Sequence, residues 1–429
     1  MVGSRAGVVS GEREADGGAG GVATRWVWTA AWPVTAVFVL SNAATPLYVR
    51  WQREIGFSKG TLTVIFACYI VGLLGSLLVS GVVSDRVGRK PVLLPALGLA
   101  LAACAIFASA SSVAALIAAR LFSGIAVGAV VSAGMAAVTD VAGPDRRRLA
   151  ALLASCAMVF GAGLGPLLAG VLGEGVFALE AVLLVAAVLV VVRMPVGGSS
   201  VAPARSAPAR STPAQSVAPA RSASASGAWV RIPGVPRGSG GELLMGIAVF
   251  APGITATSFV LSLGPSLLSG LLDTTSPVVA GAMAFVMFLT ATGAQFAVRR
   301  LDRRTILLAG AVSTTIGMGA LIAAVRASSV PLLVAAALLA GAGQGMGQLG
   351  GLSLLNSSVS PSRLAEANAA LNVGGYLPAG VLPVTAGYLS DAVGLTAGAT
   401  VFGAVLMALA LVGGLVVLIG PPSVQRKEA

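Results

Sequence analysis

Long apolar runs, separated by short polar stretches, fill most of this chain. Each run holds roughly 17 to 25 mainly apolar residues, the length that an α-helix needs to cross the core of a bilayer. The pattern therefore predicts an all-α membrane protein with two sets of six transmembrane helices. The predicted spans are 28–49, 60–83, 91–110, 113–139, 149–172, 176–194, 243–270, 277–298, 305–325, 330–356, 366–389 and 395–419.

The polar segments divide the chain into domains. Residues 196–241 are rich in Pro, Ala, Arg and Ser, with near-repeats such as Ala202-Pro203-Ala204-Arg205. Such a composition cannot bury a core, so we expect a disordered linker there. The expected domains are a disordered cytoplasmic tail at 1–27, a six-helix bundle at 28–195, a cytoplasmic linker at 196–241, a second six-helix bundle at 242–420 and a cytoplasmic tail at 421–429.

Composition points to the same class of protein. Of 429 residues, 56% are hydrophobic and 10% are charged, with a mean hydropathy of +0.94. A soluble fold of this composition would expose too much apolar surface. The chain has no His, and Cys68, Cys104 and Cys156 lie inside apolar runs without CxxC spacing. We therefore expect no metal site, disulfide framework or catalytic thiol.

The distribution of charged residues indicates the topology of the chain in the membrane and does not indicate a nucleic-acid partner. The formal net charge is +12, but the cations are scattered through short loops, unlike the basic face of a nucleic-acid-binding protein. If the amino end is cytoplasmic, most Lys and Arg residues fall on that side, since cationic short loops resist translocation. The other side then holds Arg50, Arg53, Lys59 and Arg326. We expect both termini in the cytoplasm and a multi-pass protein of the plasma membrane, in bacteria the inner membrane.

A charged turn, GVVSDRVGRK at residues 81–90, joins the second and third spans. Gly81 and Gly88 allow a tight hairpin because they have no Cβ to clash. The spacing G-x-x-x-D-R-x-G-R-K, with apolar spans on both sides, resembles the loop between the second and third helices of the major facilitator superfamily of secondary transporters. The resemblance implies two pseudo-symmetric six-helix bundles that rock around a shared midplane site.

The resemblance also assigns roles to this turn. In the superfamily the residue equivalent to Asp85 is thought to latch the two halves in the outward-facing form. An acidic residue that ends the fourth helix, here Asp140, competes for the arginine of the motif. The alternative is that both carboxylates only mark a cytoplasmic helix end. The expected gating residues are Gly81, Asp85, Arg86, Gly88, Arg89, Lys90 and Asp140.

Arg120 lies inside the fourth predicted span. An arginine there costs about 2.5 to 3.5 kcal/mol on insertion scales, so it should face a cavity or a polar partner. The spacing Arg120-x3-Gly124 resembles the fourth-helix motif of the superfamily, whose arginine is implicated in coupling or substrate contact. The alternative is that Arg120 extends its side chain to the outer surface.

The fifth span contains GAGLGPLLAG at residues 161–170. Through Gly161, Gly165, Pro166 and Gly170 it resembles the antiporter motif that marks drug exporters in the superfamily. Ala169 replaces the first glycine of the closing pair, so the match is partial. Close helix packing by small residues alone is the alternative.

Polar residues within the spans are the candidates for a binding cavity, although hydrogen bonds between helices would explain them equally well. The predicted cavity-lining residues are Asn42, Thr255, Ser258, Gln344, Gln348 and Asn372. Glu180, like the other carboxylates, falls near a predicted helix end, so none is expected at mid-span. We therefore expect neutral or anionic substrates with Arg120 as the fixed cation, or coupling through Asp85, Asp140 or Glu180.

The leading hypothesis is proton-coupled efflux of a small amphipathic molecule by alternating access, as in the bacterial drug and metabolite exporters that the chain resembles. An importer or symporter of a sugar or organic anion is the alternative. A scaffold or membrane enzyme is a further one, but no nucleophile–base cluster is visible, and no phosphate-binding G-x-x-x-x-G-K-[ST] loop is present. We expect a monomer in the lipid bilayer that binds a small molecule and protons, with no cofactor, metal or nucleic acid.

Overall fold

The computed structural model describes residues 11–143, 146–195, 230, 233–272, 276–360 and 363–420. Over these residues the chain is helical and has no strand. A 3₁₀ turn, Thr45–Leu47, follows the first helix, and a π-helical turn, Val130–Gly134, lies within the fourth span. The helices are α1 (Gly11–Ala43), α2 (Tyr48–Ile55), α3 (Lys59–Val87), α4 (Lys90–Ala108), α5 (Val113–Ala129), α6 (Met135–Ala142), α7 (Arg147–Leu172), α8 (Gly175–Arg193), α9 (Gly240–Leu272), α10 (Pro277–Val298), α11 (Arg303–Ala327), α12 (Val330–Ser358), α13 (Leu364–Val393) and α14 (Leu395–Ile419).

The membrane character of the predicted helices is confirmed. Within the described ranges, eleven helical segments are long and apolar enough to cross a bilayer. The twelfth, α13, has 30 residues and is about 45 Å long, which exceeds the thickness of the hydrocarbon core. Its lower hydropathy follows from its polar residues and its two prolines, Pro378 and Pro383.

Two features of the first span differ from the prediction. α1 extends back to Gly11, where a disordered tail was expected over 1–27, because no proline interrupts residues 11–32. The span is also broken after Ala43 instead of running to 49, because Pro46 opens a new turn and cannot donate to the preceding one. Residues 1–10, most of the predicted linker (196–229 and 231–232) and the tail at 421–429 lie outside the described residues.

The helices form two bundles, α1–α8 and α9–α14, that meet mainly along two helix pairs. α3 packs against α13, and α7 packs against α10. Within the first bundle, α3 and α5 are so close that a Cβ on Gly124 would overlap the Tyr69 carbonyl. The same close approach recurs between bundles, where a Cβ on Gly281 would overlap the Pro166 carbonyl. Small residues at these crossings therefore hold the helices together through backbone contact.

Candidate functional site

A cavity lies between the two bundles, and the space between its walls is about 830 Å³, including the solvent at its mouth. From the first bundle α1, α3 and α7 line it, and from the second α9, α10, α12 and α13. Its aromatic lining consists of Phe38, Phe66, Tyr69, Phe288 and Tyr376. Its neutral polar lining consists of Asn42, Thr257, Ser258, Thr292, Gln295, Gln344 and Gln348.

The structure places four of the six predicted cavity residues at this cavity: Asn42, Ser258, Gln344 and Gln348. Thr255 is wholly buried and is not part of the lining. The lining positions of α9 are 254, 257, 258 and 261, which form one helical face, and Thr255 points away from it. Asn372 also does not line the cavity. α13 reaches the cavity at Tyr376, one turn further along the same face of the helix.

Several lining residues were missed by the sequence analysis. Gln295 of α10 is one of them, although a glutamine inside the apolar run 277–298 is a visible signal in the sequence. The aromatic residues gave no such signal, since an aromatic residue in a membrane span can equally face lipid.

Hydrogen bonds orient some of the polar groups of the cavity. Thr257 Oγ1 lies 3.2 Å from Gln344 Oε1 and joins α9 to α12. Gln295 Nε2 donates to the Gly345 carbonyl at 3.1 Å. Asn42 Nδ2 donates to Ser41 Oγ at 3.0 Å and lies 3.4 Å from the Ala162 carbonyl. Among the described residues that line the cavity, none is Asp, Glu, Lys or Arg.

Arg120 lies behind this lining and is wholly buried. Its Nε donates to the Tyr48 hydroxyl, and its Nη1 donates to the Ser41 carbonyl at 2.6 Å. Four rings surround the guanidinium, with Cζ 5.0 to 5.9 Å from the ring centroids of Tyr48, Phe66, Tyr69 and Phe107. The Nη2 atom has no hydrogen-bond partner among the described residues. Burial excludes the alternative in which Arg120 reaches the outer surface.

Glu180 lies near the amino end of α8, as the sequence predicts, and it is wholly buried inside the first bundle. α8 begins at Gly175, so Glu180 lies more than one turn inside the helix, and the packed neighbours α1 and α4 cover it.

The turn at residues 81–90 forms a network around Arg89. Its Nη1 donates to Asp85 Oδ1 at 2.6 Å and to Ser84 Oγ at 3.0 Å, and its Nε donates to Asp140 Oδ2 at 2.9 Å. Burial alone would lower the pKa of Arg89, but its bonds to Asp85 and Asp140 outweigh burial and raise it. The guanidinium therefore stays charged and ties the end of α3 to the end of α6.

The other residues of the turn flank this network. Gly81 is buried inside α3, Arg86 is exposed in its last turn, and Gly88 ends it with a φ of 96°. Lys90 Nζ donates to the Val192 carbonyl of α8 at 2.9 Å. We call this side of the molecule the Arg89 end.

At the opposite side, which we call the Lys59 end, the bundles are joined by Asp391. This residue lies in the last turn of α13, and its carboxylate accepts hydrogen bonds from the amides of Lys59 (3.0 Å) and Gly60 (2.8 Å). These amides begin α3, where a helix exposes unpaired N–H groups and a partial positive charge. Asp391 therefore caps a helix of the other bundle.

The glycine-rich segment of α7 lies at two interfaces. A Cβ on Gly161 or Gly165 would overlap the α1 backbone at Thr35 or Val39. A Cβ on Gly170 would approach the Pro277 carbonyl of α10 to 2.6 Å, so this part of the motif faces the other bundle. The motif therefore helps to close the Lys59 end.

The cavity begins where these contacts between bundles stop. Ile70 of α3, which would be 3.7 Å from a Cβ on Gly380 of α13, and Ala162 of α7 both line it. It extends from there to Gln295, one turn from the carboxyl end of α10. The cavity thus runs from the closed Lys59 end toward the Arg89 end.

Comparisons with known proteins agree with this architecture. A model of the Major Facilitator Superfamily matches residues 24–297 and 245–429. A crystal structure of a bacterial homolog of the human lysosomal transporter Spinster, in an inward-facing, unoccupied conformation, is similar with a TM-score of 0.69. The two share 14% identity over 94% of this chain and 98% of that one, so the likeness concerns the fold.

Two curated relatives match shorter stretches. Multidrug resistance protein MdtL of Escherichia coli O45:K1 (strain S88 / ExPEC) is 30% identical over 117 residues, or 26% of this chain and 30% of that protein. The 3-(3-hydroxy-phenyl)propionate transporter of Escherichia coli (strain K12) is 36% identical over 104 residues, or 23% of this chain and 25% of that protein. Neither match reaches a third of the relative's length. With the family model matching both bundles, the chain belongs to the Major Facilitator Superfamily of membrane transporters.

Proposed function

We propose that the protein is a secondary active transporter that moves a small amphipathic molecule across the plasma membrane by alternating access, as a monomer coupled to protons. The observation that carries this proposal is the cavity between two bundles that touch at the Lys59 end. A site between two rigid lobes can face either side of the membrane when the lobes rock.

The distribution of charge supports an orientation. Arg86, Arg89 and Lys90 lie at one end of the bundles, and cationic loops stay in the cytoplasm. With the Arg89 end in the cytoplasm, both termini are cytoplasmic and the Lys59 end faces outward. The arrangement described above is then the inward-open state.

A repeated motif supports the rocking motion. Residues 81–88 read GVVSDRVG and residues 387–394 read GYLSDAVG, which share Gly, Ser, Asp, Val and Gly at the same positions. Each copy ends its helix in the same way, with a glycine of positive φ whose amide donates to the serine carbonyl at 3.1 Å. The two helices, α3 and α13, are partners across the bundle interface.

The two copies therefore suggest reciprocal latches. In the present state Asp391 caps the start of α3. Asp85 is bound to Arg89, and in the outward-open state it would cap the start of α13 in the same way. The expected roles of Asp85 as latch and of Asp140 as competitor for Arg89 fit this scheme, because Arg89 already bridges both carboxylates.

The lining of the cavity indicates the class of substrate. Aromatic rings supply apolar surface, while amides and hydroxyls supply hydrogen bonds, and no described lining residue carries a charge. A charged ligand would lose its hydration there without gaining a counter-ion. We infer an uncharged or weakly charged aromatic molecule, exported in exchange for protons. The resemblance to MdtL and the α7 glycine motif favour export.

An importer or symporter of a sugar or organic anion is the second candidate. Two observations favour an organic anion: the unpaired Nη2 of Arg120 behind the lining, and the match to a transporter named for an aromatic acid. Arg120 would attract an anion only if Phe66 and Tyr69 moved aside, because these rings lie between it and the cavity.

Transport by the purified protein in proteoliposomes tests the proposal. The substrates are three radiolabelled molecules of the same skeleton: 3-phenylpropanol, 3-phenylpropionate and 3-phenylpropylamine. For an exchanger, we expect that an acidic vesicle interior drives accumulation of the substrate inside the vesicles. A symporter would instead need an acidic exterior. The Asp391→Pro variant, which should break the closed end, is the inactive control. Identical fluxes from vesicles with and without protein would contradict the proposal.

A further inference from the structure

Glu180 is a buried carboxyl that neither the cavity nor the latches use. It is wholly buried in α8 and lies beside the backbone of Leu40 in α1 and near the thiol of Cys104 in α4. Neither carboxyl oxygen has a hydrogen-bond partner among the described residues.

Among the described side chains of the elements packed around Glu180, none provides it with a counter-ion. The Cys104 thiol of α4 donates to the Phe177 carbonyl at 3.0 Å, and the Trp32 indole of α1 donates to the Leu183 carbonyl at 3.2 Å. Lys90 of α4 lies at the far end of the helix pair, where it binds Val192. The Arg50–Glu174 ion pair, at 3.6 Å, lies before α8 begins. In the described part of α7, Cys156 is a titratable group, and it is exposed.

An unpaired carboxylate is unstable in such a place. A buried charge without a cation or hydrogen-bond donors carries a large desolvation cost, which the group avoids by binding a proton. Buried acids in membrane spans are also rarely without function. The surroundings of Glu180 therefore hold the neutral acid while the first bundle keeps this packing.

Aromatic rings separate Glu180 from the Lys59 end. Trp51, Phe107 and Phe177 stack with ring centroids 5.4 to 6.2 Å apart. Phe177 lies one turn before Glu180 on α8, and Phe107 lies one turn after Cys104 on α4, so the stack covers the acid on that side. Exchange of the proton therefore requires a change in the packing of these helices.

α1 connects Glu180 to the cavity. Phe38 and Asn42 of α1 line the cavity, and Leu40, between them, is fully buried beside Glu180. Two residues along an α-helix are separated by a turn of about 200°, so Leu40 faces away from the cavity. A shift of α1 that follows substrate binding would change the environment of Glu180 directly.

We propose that Glu180 is the proton-binding residue of this transporter, taking up and releasing one proton as α1 and α8 change their packing. This inference rests on the proposed proton-coupled transport. The absence of an acid among the described lining residues supports it, because the proton then binds behind the cavity while the substrate binds within it.

Infrared spectroscopy of the reconstituted protein tests proton binding without a substrate. The carbonyl band of a protonated carboxylic acid should decrease when the buffer is changed from acidic to alkaline. Glu180→Gln should lack this band, Glu180→Asp should keep it with a shifted midpoint, and Glu174→Gln, at the surface end of the same helix, should retain it unchanged. A band that persists in Glu180→Gln, or that does not titrate in the wild type, would overturn the proposal.

Counterflow, in which labelled 3-phenylpropanol exchanges for unlabelled without a proton gradient, tests coupling. Glu180→Gln mimics the protonated acid, so it should keep counterflow, lose its dependence on pH and lose accumulation driven by a gradient. Gradient-driven accumulation at the wild-type rate would overturn the coupling role. If the wild type transports no member of the phenylpropyl series while its Glu180 band still titrates, the proposed function fails and the proton site stands.

Discussion

At the scale of single residues, the first bundle holds an arginine inside the membrane with no carboxylate partner among the residues that the structure describes. Arg120 binds the Tyr48 hydroxyl and the Ser41 carbonyl, and four aromatic rings surround its guanidinium. Cation–π contacts and hydrogen bonds to carbonyls stabilise a buried cation in place of water. Gly124, one turn later, lets α5 approach α3 so closely that Tyr69 meets the arginine.

Replacement of Arg120 tests this arrangement. Arg120→Lys keeps the charge but loses the planar fork that reaches both acceptors. We expect lower thermal stability, because an acceptor left unpaired costs about 1 to 3 kcal/mol, and loss of gradient-driven transport. Arg326→Lys, an exposed arginine at the end of α11, is the matched control and should behave as the wild type. Unchanged melting and flux in Arg120→Lys would contradict a role of the guanidinium in both stability and transport.

At the scale of helices, α3 and α13 carry the proposed latches between the two bundles. They pack against each other across the bundle interface, and each ends in a copy of the same Gly–Ser–Asp–Val–Gly pattern. The corresponding turn of the second bundle, between α10 and α11, has a different task. There Asp302 caps its own helix by accepting from the Thr305 hydroxyl at 2.5 Å and from the Thr305 amide at 3.0 Å, and these bonds lower the pKa of Asp302.

The two aspartates should therefore have opposite effects. Asp391→Asn weakens a cap worth about 1 kcal/mol, so the population with an open Lys59 end should rise roughly fivefold. Asp85→Asn should lower it. The measurement is labelling of an Ile70→Cys reporter from outside by an impermeant maleimide, with the three native cysteines replaced by alanine. Asp302→Asn is the control, and the same direction of change in both test variants would contradict reciprocal latches.

The crossing of α7 and α10 should respond to side-chain volume. Gly281→Val places a branched side chain against the Pro166 carbonyl, so the bundles should separate at the Lys59 end and labelling of Ile70→Cys should increase. Gly293→Val on the same helix has no heavy atom within 4 Å of its Cβ position and provides the matched control. Equal labelling of the two variants would show that this crossing is not a gate.

At the scale of the whole molecule, the cavity exists because the two bundles touch at one end and not along their full length. Its wall comes from seven helices of both bundles, so the chemistry of the substrate is set by the assembled protein. The described lining is aromatic, aliphatic and neutral-polar, while Arg120 and Glu180 lie behind it in the first bundle. Substrate and proton are therefore assigned to different sites.

Binding of ligands that differ only in charge tests this assignment. By calorimetry in detergent, 3-phenylpropanol should bind more tightly than 3-phenylpropionate or 3-phenylpropylamine, because neither charge finds a partner in the cavity. Gln344→Leu, which removes the group that meets Thr257, should weaken binding of the alcohol. Gln344→Glu should improve binding of the amine relative to the alcohol. Tightest binding of the propionate would instead favour the organic-anion importer.

The sequence by itself determined the helices and the family. Apolar run length is a local property, so the predicted spans agree with the helices to within a few residues, apart from the break at Pro46 and the extension of α1 to Gly11. The turn at residues 81–90 and Arg120 could also be recognised locally, because the chemistry of each is contained in a short motif. Asn42, Ser258, Gln344 and Gln348 were predictable as polar groups inside apolar runs.

Only the tertiary structure decided which side of each helix faces the cavity and which ends of the bundles meet. Thr255 and Ser258 look alike in the sequence, but helix rotation buries one and places the other in the lining. Glu180 looked like a helix-end carboxylate until α1 and α4 covered it, and Asp391 gained its partner from a helix more than 300 residues away along the chain. The physical reason is that burial and capping across bundles depend on packing between distant segments, which apolar periodicity does not encode.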